Sequence, residues 1–317
     1  MDKQTSKIFK IILPLLFGIL IGWYSLSKIP FSEITPYFKS ANYSWLLLGF
    51  FFGLLSHLSR AYRWKFMLEP LGFKPKIQNS IMAVFVAYLT NFGIPRSGEV
   101  MRAVVFSNYE NVPFEKGFGT IVAERIADML VMLLIILITL FLQYDFISSL
   151  LMKNFNPQTL IIGLIILIIL GAIFFTLISN AKSGFAFKIK TLVLGMIEGA
   201  TSIFKMRKKW PFIAHTLFIW FMYLLMFYVT IFAVPELKNV PMAAVLIGFI
   251  AGGFSIAASN GGLFVYPAAI LAAFSLFGLE QNPSFAFGWI MWTAQSALIL
   301  IFGVLSFIFL PVFNREK

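Results

Sequence analysis

The sequence contains no cysteine and only two histidines, His57 and His215, among its 317 residues. Without cysteine, the chain has no disulfide, no thiolate metal site and no thiol nucleophile. The two histidines stand alone in apolar segments, so we expect them to be packed or hydrogen-bonded. The sequence also lacks paired histidines at metal spacing, a nucleophile elbow and an aspartate-rich cluster that would hold Mg²⁺. We therefore expect no enzyme, no metal and no cofactor.

Charged residues are also scarce, at 12% of the chain, whereas hydrophobic residues make up 60% and the mean hydropathy is +0.89. This composition excludes an ordinary soluble domain. The apolar runs, roughly 17 to 28 residues long, lack the alternation of barrel strands and predict helices that cross a hydrocarbon core of about 30 Å. The longest polar interval, residues 180–209, is too short for a soluble domain. The sequence predicts a single all-α domain over residues 1–317, a polytopic membrane helix bundle.

The predicted bundle has about seven full spans plus one or two broken re-entrant helix pairs. Its first segment follows three lysines and can mimic a signal peptide, but we expect an uncleaved helix because a membrane-embedded body follows. The segment after it ends in a basic, aromatic run from Arg60 to Lys65, which we interpret as interfacial anchors. The predicted apolar segments are residues 8–27, 44–60, 80–94, 118–142, 159–179, 212–234, 243–258, 263–277 and 285–310.

Lysine and arginine predict the orientation, because cytoplasmic loops carry an excess of both. Seven lie between Lys182 and Lys209, five between Arg60 and Lys76, three before residue 11 and two after residue 314. We assign these intervals, and both termini, to the cytoplasmic side of the cell membrane. Two segments already connect the middle intervals, so residues 78–117 must leave and return to one side. Pro95 and Gly98 break the chain there, which predicts a re-entrant pair of unknown depth, or a surface loop.

A second break lies at residues 251–254 and 259–262, which include two pairs of glycines. It predicts either another re-entrant pair or a tight helical hairpin. The glycines can line a pathway or simply permit close helix packing. In transporters, two interrupted hydrophobic segments indicate a binding site at which half-helix ends face the ligand.

Most of the charged residues that lie within apolar sequence are at or near the first break. Inserting an ionisable side chain near the bilayer centre costs about 2.5 to 3.5 kcal/mol, so such residues imply partners or a ligand. Arginine binds phosphate bidentately, so three arginines are candidates to face an anionic head group, and three acidic residues would hold them when the site is empty. Backbone N–H groups after Gly98 would add donors. The alternative is a structural ion-pair network between helices. The candidates are Arg96, Arg102 and Arg125, with Glu99, Glu124 and Asp128.

These residues also carry a family resemblance. The run Asn91-Phe-Gly-Ile-Pro-Arg-Ser-Gly-Glu-Val-Met-Arg102, with Arg63-Trp64 before it and Glu124-Arg-Ile-Ala-Asp128 after it, resembles the lysylphosphatidylglycerol synthase transmembrane region, a flippase-like family. The segment from Gly261 to Pro267 is similar to a later glycine-rich segment of that family, although Asn260 stands where a proline is often seen. The resemblance adds four binding candidates: Asn91, Gly98, Asn260 and Gly261.

The resemblance implies a lipid-handling membrane domain. Relatives also carry a soluble aminoacyl-transfer domain; this sequence shows none, so we do not expect lysyl transfer. We expect a translocase or transporter for an anionic phospholipid or polyprenyl-phosphate head group, with no nucleic-acid partner. Two alternatives stay open: an accessory protein for a glycosyltransferase or lipid-modifying enzyme, and a membrane transferase with Glu99 or Asp128 as general base. A homo-oligomer or a complex with a partner membrane enzyme is also compatible with the sequence.

Overall fold

The computed structural model describes residues 16, 18–94, 97–154, 156–181, 183–184, 187, 189–191, 194, 206–259 and 261–315. Within these residues the secondary structure is helical and no strand occurs, which confirms the predicted all-α class. Residues 18–28 are helical and precede the labelled helices. The labelled helices are α1 (Phe31–Ser40), α2 (Tyr43–Leu68), α3 (Ile77–Gly93), α4 (Gly98–Tyr109), α5 (Phe114–Leu142), α6 (Tyr144–Asn154), α7 (Pro157–Ser179), α8 (Lys209–Ile231), α9 (Met242–Ala258), α10 (Val265–Ser275) and α11 (Gln281–Phe313).

Four of these helices, α5, α7, α8 and α11, are long and apolar enough to cross a membrane. A fifth span results if α1 and α2, which meet at an 89° bend, count as one broken span. Four or five spans among the described residues compare with about seven expected for the whole chain. Of the first predicted segment, residues 8–27, the structure describes residue 16 and residues 18–27, of which 18–27 are helical. The sequence also missed α6, which lies between two predicted spans.

The chain folds into two compact units. Unit 1 comprises residues 1–121 and 208–317, and unit 2 comprises residues 122–207. Unit 2 contains most of α5 together with α6 and α7. The side chain of Asn156 accepts a hydrogen bond from the Gln158 N–H at 3.0 Å and caps α7, with Pro157 in the first turn.

Small residues allow the helices of unit 1 to pack closely. A Cβ atom at Gly49 of α2 would overlap the Thr230 hydroxyl of α8, and one at Gly303 of α11 would lie 2.8 Å from Leu89 of α3. Membrane helices associate by such close contacts because lipid provides no hydrophobic driving force between them. The core between the helices is aromatic; Phe227 and Phe274, for example, each contact the ring of Phe287.

The first break forms a closed hairpin of α3 and α4. α3 ends at Gly93 and α4 begins at Gly98, so the helices are interrupted where Pro95 and Gly98 predicted a break. At the other end of the hairpin, the Glu110 carboxylate accepts hydrogen bonds from the Lys76 N–H at 3.2 Å and the Asn79 amide at 2.5 Å. The chain therefore returns to the end from which α3 started, which confirms the expected out-and-back path.

The second break is a tight helical hairpin of α9 and α10. A Cβ atom at Gly248 would contact Phe274, and one at Gly252 would contact Tyr266, so the two helices run antiparallel. In the turn, Gly261 and Gly262 have φ angles of 65° and 82°, which favour glycine. The hairpin was one of the two conformations that the sequence left open.

The two turns lie beside each other within unit 1. The Cβ position of Gly261 lies 3.7 Å from the ring of Phe92, the last aromatic residue of α3. The Trp292 indole of α11 donates a hydrogen bond to the Gly261 carbonyl at 2.8 Å and fixes the second turn from the other side. The breaks in the two halves of the sequence thus come together.

Candidate functional site

The ten predicted site residues divide between the two units. Eight are described by the structure, and Arg96 and Asn260 lie outside the described residues. Unit 1 contains Asn91, Gly98, Glu99, Arg102 and Gly261, and unit 2 contains Glu124, Arg125 and Asp128.

The start of α4 at Gly98 is stabilised by Asn91 of α3. The Asn91 side-chain oxygen accepts a hydrogen bond from the Gly98 N–H at 2.8 Å, so it satisfies one of the amide groups that a helix N-terminus leaves without an intrahelical partner. A Cβ atom at Gly98 would overlap the Ala87 carbonyl oxygen, so α4 can begin this close to α3 only with glycine. Glu99 is half-buried in the first turn of α4. In this structure Asn91 acts as a cap for α4.

Arg102 lies one turn further along α4 and is 2% exposed. Its guanidinium carbon lies 3.8 Å from the ring centroid of Trp64 on α2. Trp64 is fully buried, contacts the Phe106 ring, and donates a hydrogen bond to the Thr120 hydroxyl at 2.8 Å. A desolvated cation–π contact of this kind contributes about 2 kcal/mol. Arg102 is therefore held on a rigid aromatic platform.

Arg60 and Arg63 on α2 are also buried, at 2% and 0% exposure, so their predicted role as interfacial anchors is wrong. The Arg63 guanidinium donates a hydrogen bond to the Thr216 hydroxyl at 2.8 Å and lies over the Phe212 ring. The physical reason is that α2 does not end near residue 60 as predicted but continues to Leu68, which keeps both arginines against α8. Among the described residues of unit 1, three arginines are thus buried, and two of them were not among the predicted site residues.

In unit 2, Glu124 and Asp128 on α5 are buried, at 0% and 6% exposure. They are four residues apart and share a helix face. Arg125 Nη1 lies 3.6 Å from Asp128 Oδ2, and the Arg125 side chain is 38% exposed. The two acidic residues are therefore buried, whereas Arg125 is partly exposed.

Both histidines are packed and hydrogen-bonded, as predicted. His57 Nδ1 lies 3.5 Å from the Tyr223 hydroxyl, and its ring contacts Phe85. His215 Nδ1 lies 2.8 Å from the Ser59 hydroxyl. Among the described residues, no group of three or more histidine, aspartate or glutamate side chains is placed to hold a metal ion.

One buried polar cluster could not be predicted from the sequence, because no motif indicates it. Asn79 of α3 and Asn314, just after α11, exchange two amide hydrogen bonds of 3.0 and 2.9 Å. Asn79 also bonds Glu110, so the cluster joins the start of α3, the end of α4 and the end of α11. Its members are far apart in sequence, and only the fold brings them together.

The family described as "Lysylphosphatidylglycerol synthase TM region" matches residues 11–311. A UPF0104 membrane protein of Methanocaldococcus jannaschii is 28% identical over 134 residues, which are 41% of this chain and 39% of the relative. The glycosyltransferase AglD of Haloferax volcanii is 32% identical over 72 residues, which are 22% of this chain and 12% of the relative. The matches therefore span well under half the length of these two curated relatives. No solved structure matches the chain.

Proposed function

Because the chain belongs to the lysylphosphatidylglycerol synthase transmembrane-region family, we propose that it binds an anionic membrane lipid and moves the lipid head group across the membrane. The lipid is a phospholipid or a polyprenyl phosphate. The observation that carries this proposal is the burial of Arg60, Arg63 and Arg102 inside unit 1. We propose binding and transport without chemistry on the lipid.

The cost of burying cations supports the proposal. Each ionisable group near the bilayer centre costs about 2.5 to 3.5 kcal/mol, so buried charges in membrane helices usually serve a pathway or a ligand. Guanidinium presents a planar fork of donors that matches a phosphate. Arg102 lies one turn into α4, close to the turn that meets the α9–α10 hairpin. Such a meeting of broken helices is typical of transporter binding sites.

A lipid-transport assay with matched arginine variants tests this function. The protein is placed in vesicles with a fluorescent phosphatidylglycerol, and a reductant that cannot cross the membrane reports how fast label from the inner leaflet becomes accessible. We expect the protein to accelerate this exchange, Arg102→Gln to abolish the acceleration, and Arg102→Lys to retain only part of it, because lysine offers a point charge. Arg315→Gln, which removes an exposed arginine, serves as the control.

Thermal unfolding of each variant separates lost transport from lost folding. If vesicles with the parent protein exchange label no faster than empty vesicles for either phosphatidylglycerol or a polyprenyl phosphate, the translocase proposal is wrong. If Arg102→Gln folds and transports like the parent, Arg102 is not part of the site.

A second candidate function is an accessory role beside a membrane-bound glycosyltransferase or another lipid-modifying enzyme. The similarity to part of the glycosyltransferase AglD favours it. A further observation is that the most apolar stretch of α7 in unit 2 has no buried residue among those described, so this helix can face either lipid or a partner helix. Isolation of the protein from native membranes together with a stable enzyme partner, combined with absent lipid exchange, would favour this role.

A further inference from the structure

An open groove of about 570 Å³ lies between α2, α3 and α8 of unit 1. Its lining is predominantly apolar and includes Leu58 of α2, Ile81 of α3 and Phe218 of α8. Ligand pockets in proteins commonly measure about 300 to 1,000 Å³, so the groove has the capacity of a specific site. Water would solvate this lining poorly, and hydrocarbon is the natural occupant of such a surface in a membrane protein.

Two of the polar side chains that line the groove form a pair. Ser59 and His215 line it and lie 2.8 Å apart, hydroxyl to Nδ1. When the Ser59 hydroxyl donates to Nδ1, the other ring nitrogen carries the proton and is a hydrogen-bond donor. His215 is half-buried, so its ring can bond an ester oxygen of a lipid whose chain occupies the groove.

Positive charge lies at one end of the groove. The Lys65 ammonium lies over the ring of Tyr62, 5.6 Å from its centroid, and Tyr62 lines the groove. Glu69 contacts Lys65 at 3.7 Å and Lys208 at 2.6 Å, so two cations share one carboxylate. The side chains of Lys65 and Lys208 are 40% and 49% exposed, and each ammonium has three donors. An anion can therefore reach both lysines without displacing Glu69.

We propose that this groove binds one acyl chain of an anionic phospholipid, with the lipid phosphate on the exposed sides of Lys65 and Lys208, away from Glu69. The apolar lining provides the contact for the chain, and the excess positive charge at its end selects an anionic head group. A zwitterionic lipid offers the same chain, but its own cation opposes the two lysines. The lining residues Ser59 and Tyr62 are chain neighbours of Arg60 and Arg63, but the two arginines are buried and do not line the groove, and binding there requires no transport.

Native mass spectrometry of the delipidated, detergent-solubilised full-length protein tests the proposal by counting bound lipids. The probes are phosphatidylglycerol and phosphatidylcholine with identical acyl chains. Leu58→Trp fills the groove, and Leu47→Trp places the same side chain at a 69% exposed position on α2 that does not line it. We expect Leu58→Trp to retain one phosphatidylglycerol fewer than the parent and Leu47→Trp to match the parent.

A second variant reports on the head group and does not depend on core packing. Changing both Lys65 and Lys208 to Gln removes two exposed cations, and we expect phosphatidylglycerol binding to weaken on the order of tenfold or more. Phosphatidylcholine binding should stay weak and unchanged, and inorganic phosphate should compete only at high concentration, because it lacks the acyl chain that the groove holds.

Three results would overturn the proposal: equal retention of both lipids by the parent, full retention by Leu58→Trp, or unchanged affinity in the double lysine variant. If Leu58→Trp does not fold, the double lysine variant decides. Because binding is counted without transport, a failure here leaves the translocase proposal intact. Conversely, a protein that moves no lipid can still bind one in this groove.

Discussion

Gly98 is the residue on which the turn between α3 and α4 depends most directly. Its backbone N–H is bonded to Asn91, and its α-carbon faces the Ala87 carbonyl so closely that a methyl group has no room. Gly93, at the other side of the same turn, has open space around its Cβ position and no neighbour within 4 Å. The two glycines therefore differ in packing although the sequence presents them alike.

This difference gives a prediction with an internal control. Gly98→Ala should lower the free energy of unfolding by about 1 to 3 kcal/mol, because the new Cβ atom must push two backbones apart. Gly93→Ala should leave stability unchanged or raise it slightly, because alanine is the better helix former. Thermal unfolding in one detergent measures both. Equal unfolding temperatures for the two variants would contradict the close approach of α4 to α3.

At the residue scale, the sequence predicted Arg102 as a site residue but not its contact with Trp64. It also placed Arg60 and Arg63 at the membrane interface, whereas both are buried in the protein. The spacing of Arg60 and Arg63 puts both on one face of α2, yet a basic and aromatic run near the end of an apolar segment is also typical of an interface. Which interpretation holds depends on whether α8 covers that face. The helix that covers this face lies 153 residues later in the chain, so the sequence around Arg60 and Arg63 does not predict the contact.

At the element scale, the link between the end of α2 and the start of α8 depends on ionised Glu69. The hydrogen bond from Lys208, with the charges of Lys208 and Lys65, lowers the pKa of this carboxyl below its usual range, although partial burial opposes the effect. A pKa that is lower in the folded than in the unfolded chain means that ionised Glu69 stabilises the fold above the ordinary glutamate pKa. This stabilisation disappears as the pH falls through the lowered folded-state pKa.

The prediction concerns the pH dependence of this link. Parent protein should unfold at a slightly higher temperature than Glu69→Gln at pH 7, and the difference should vanish as the pH is lowered below the folded-state pKa of Glu69. The effect should be small, because the Lys208 side chain is 49% exposed and solvent screens the pair. Thermal scans of both proteins across this pH range measure it. A difference that persists at the lowest pH would mean that the Glu69 carboxylate is not what stabilises the link.

Proline and glycine made both helix breaks predictable, because proline removes a backbone donor and glycine permits positive φ angles. The antiparallel return of α4 also followed from the distribution of lysine and arginine. The contact of Phe92 with Gly261 did not, since it joins two turns from separate halves of the sequence. The helix α6 was missed because it is short and lies between apolar runs that the hydropathy pattern had already assigned.

At the scale of the whole molecule, composition together with the pattern of the apolar runs determined the class. A chain with 60% hydrophobic residues cannot leave backbone groups unsatisfied in lipid, and apolar runs without alternation leave helices as the remaining solution. The family match over residues 11–311 agrees with the motif around Arg102. The orientation of the chain in the membrane does not follow from composition, because it depends on which loops carry the lysines and arginines.

The orientation predicts which positions a membrane-impermeant thiol reagent reaches in intact cells. The chain has no cysteine, so one introduced cysteine is the only reactive site. Lys74→Cys and Lys190→Cys should resist the reagent until the cells are opened, because both lie in intervals rich in lysine and arginine that we assign to the cytoplasm. Lys238→Cys, in the sparsely charged loop after α8, should react at once and serves as the positive control. Labelling of Lys190→Cys in intact cells would reverse the assignment of the interval before α8, and with it the inference that residues 78–117 return to the cytoplasmic side.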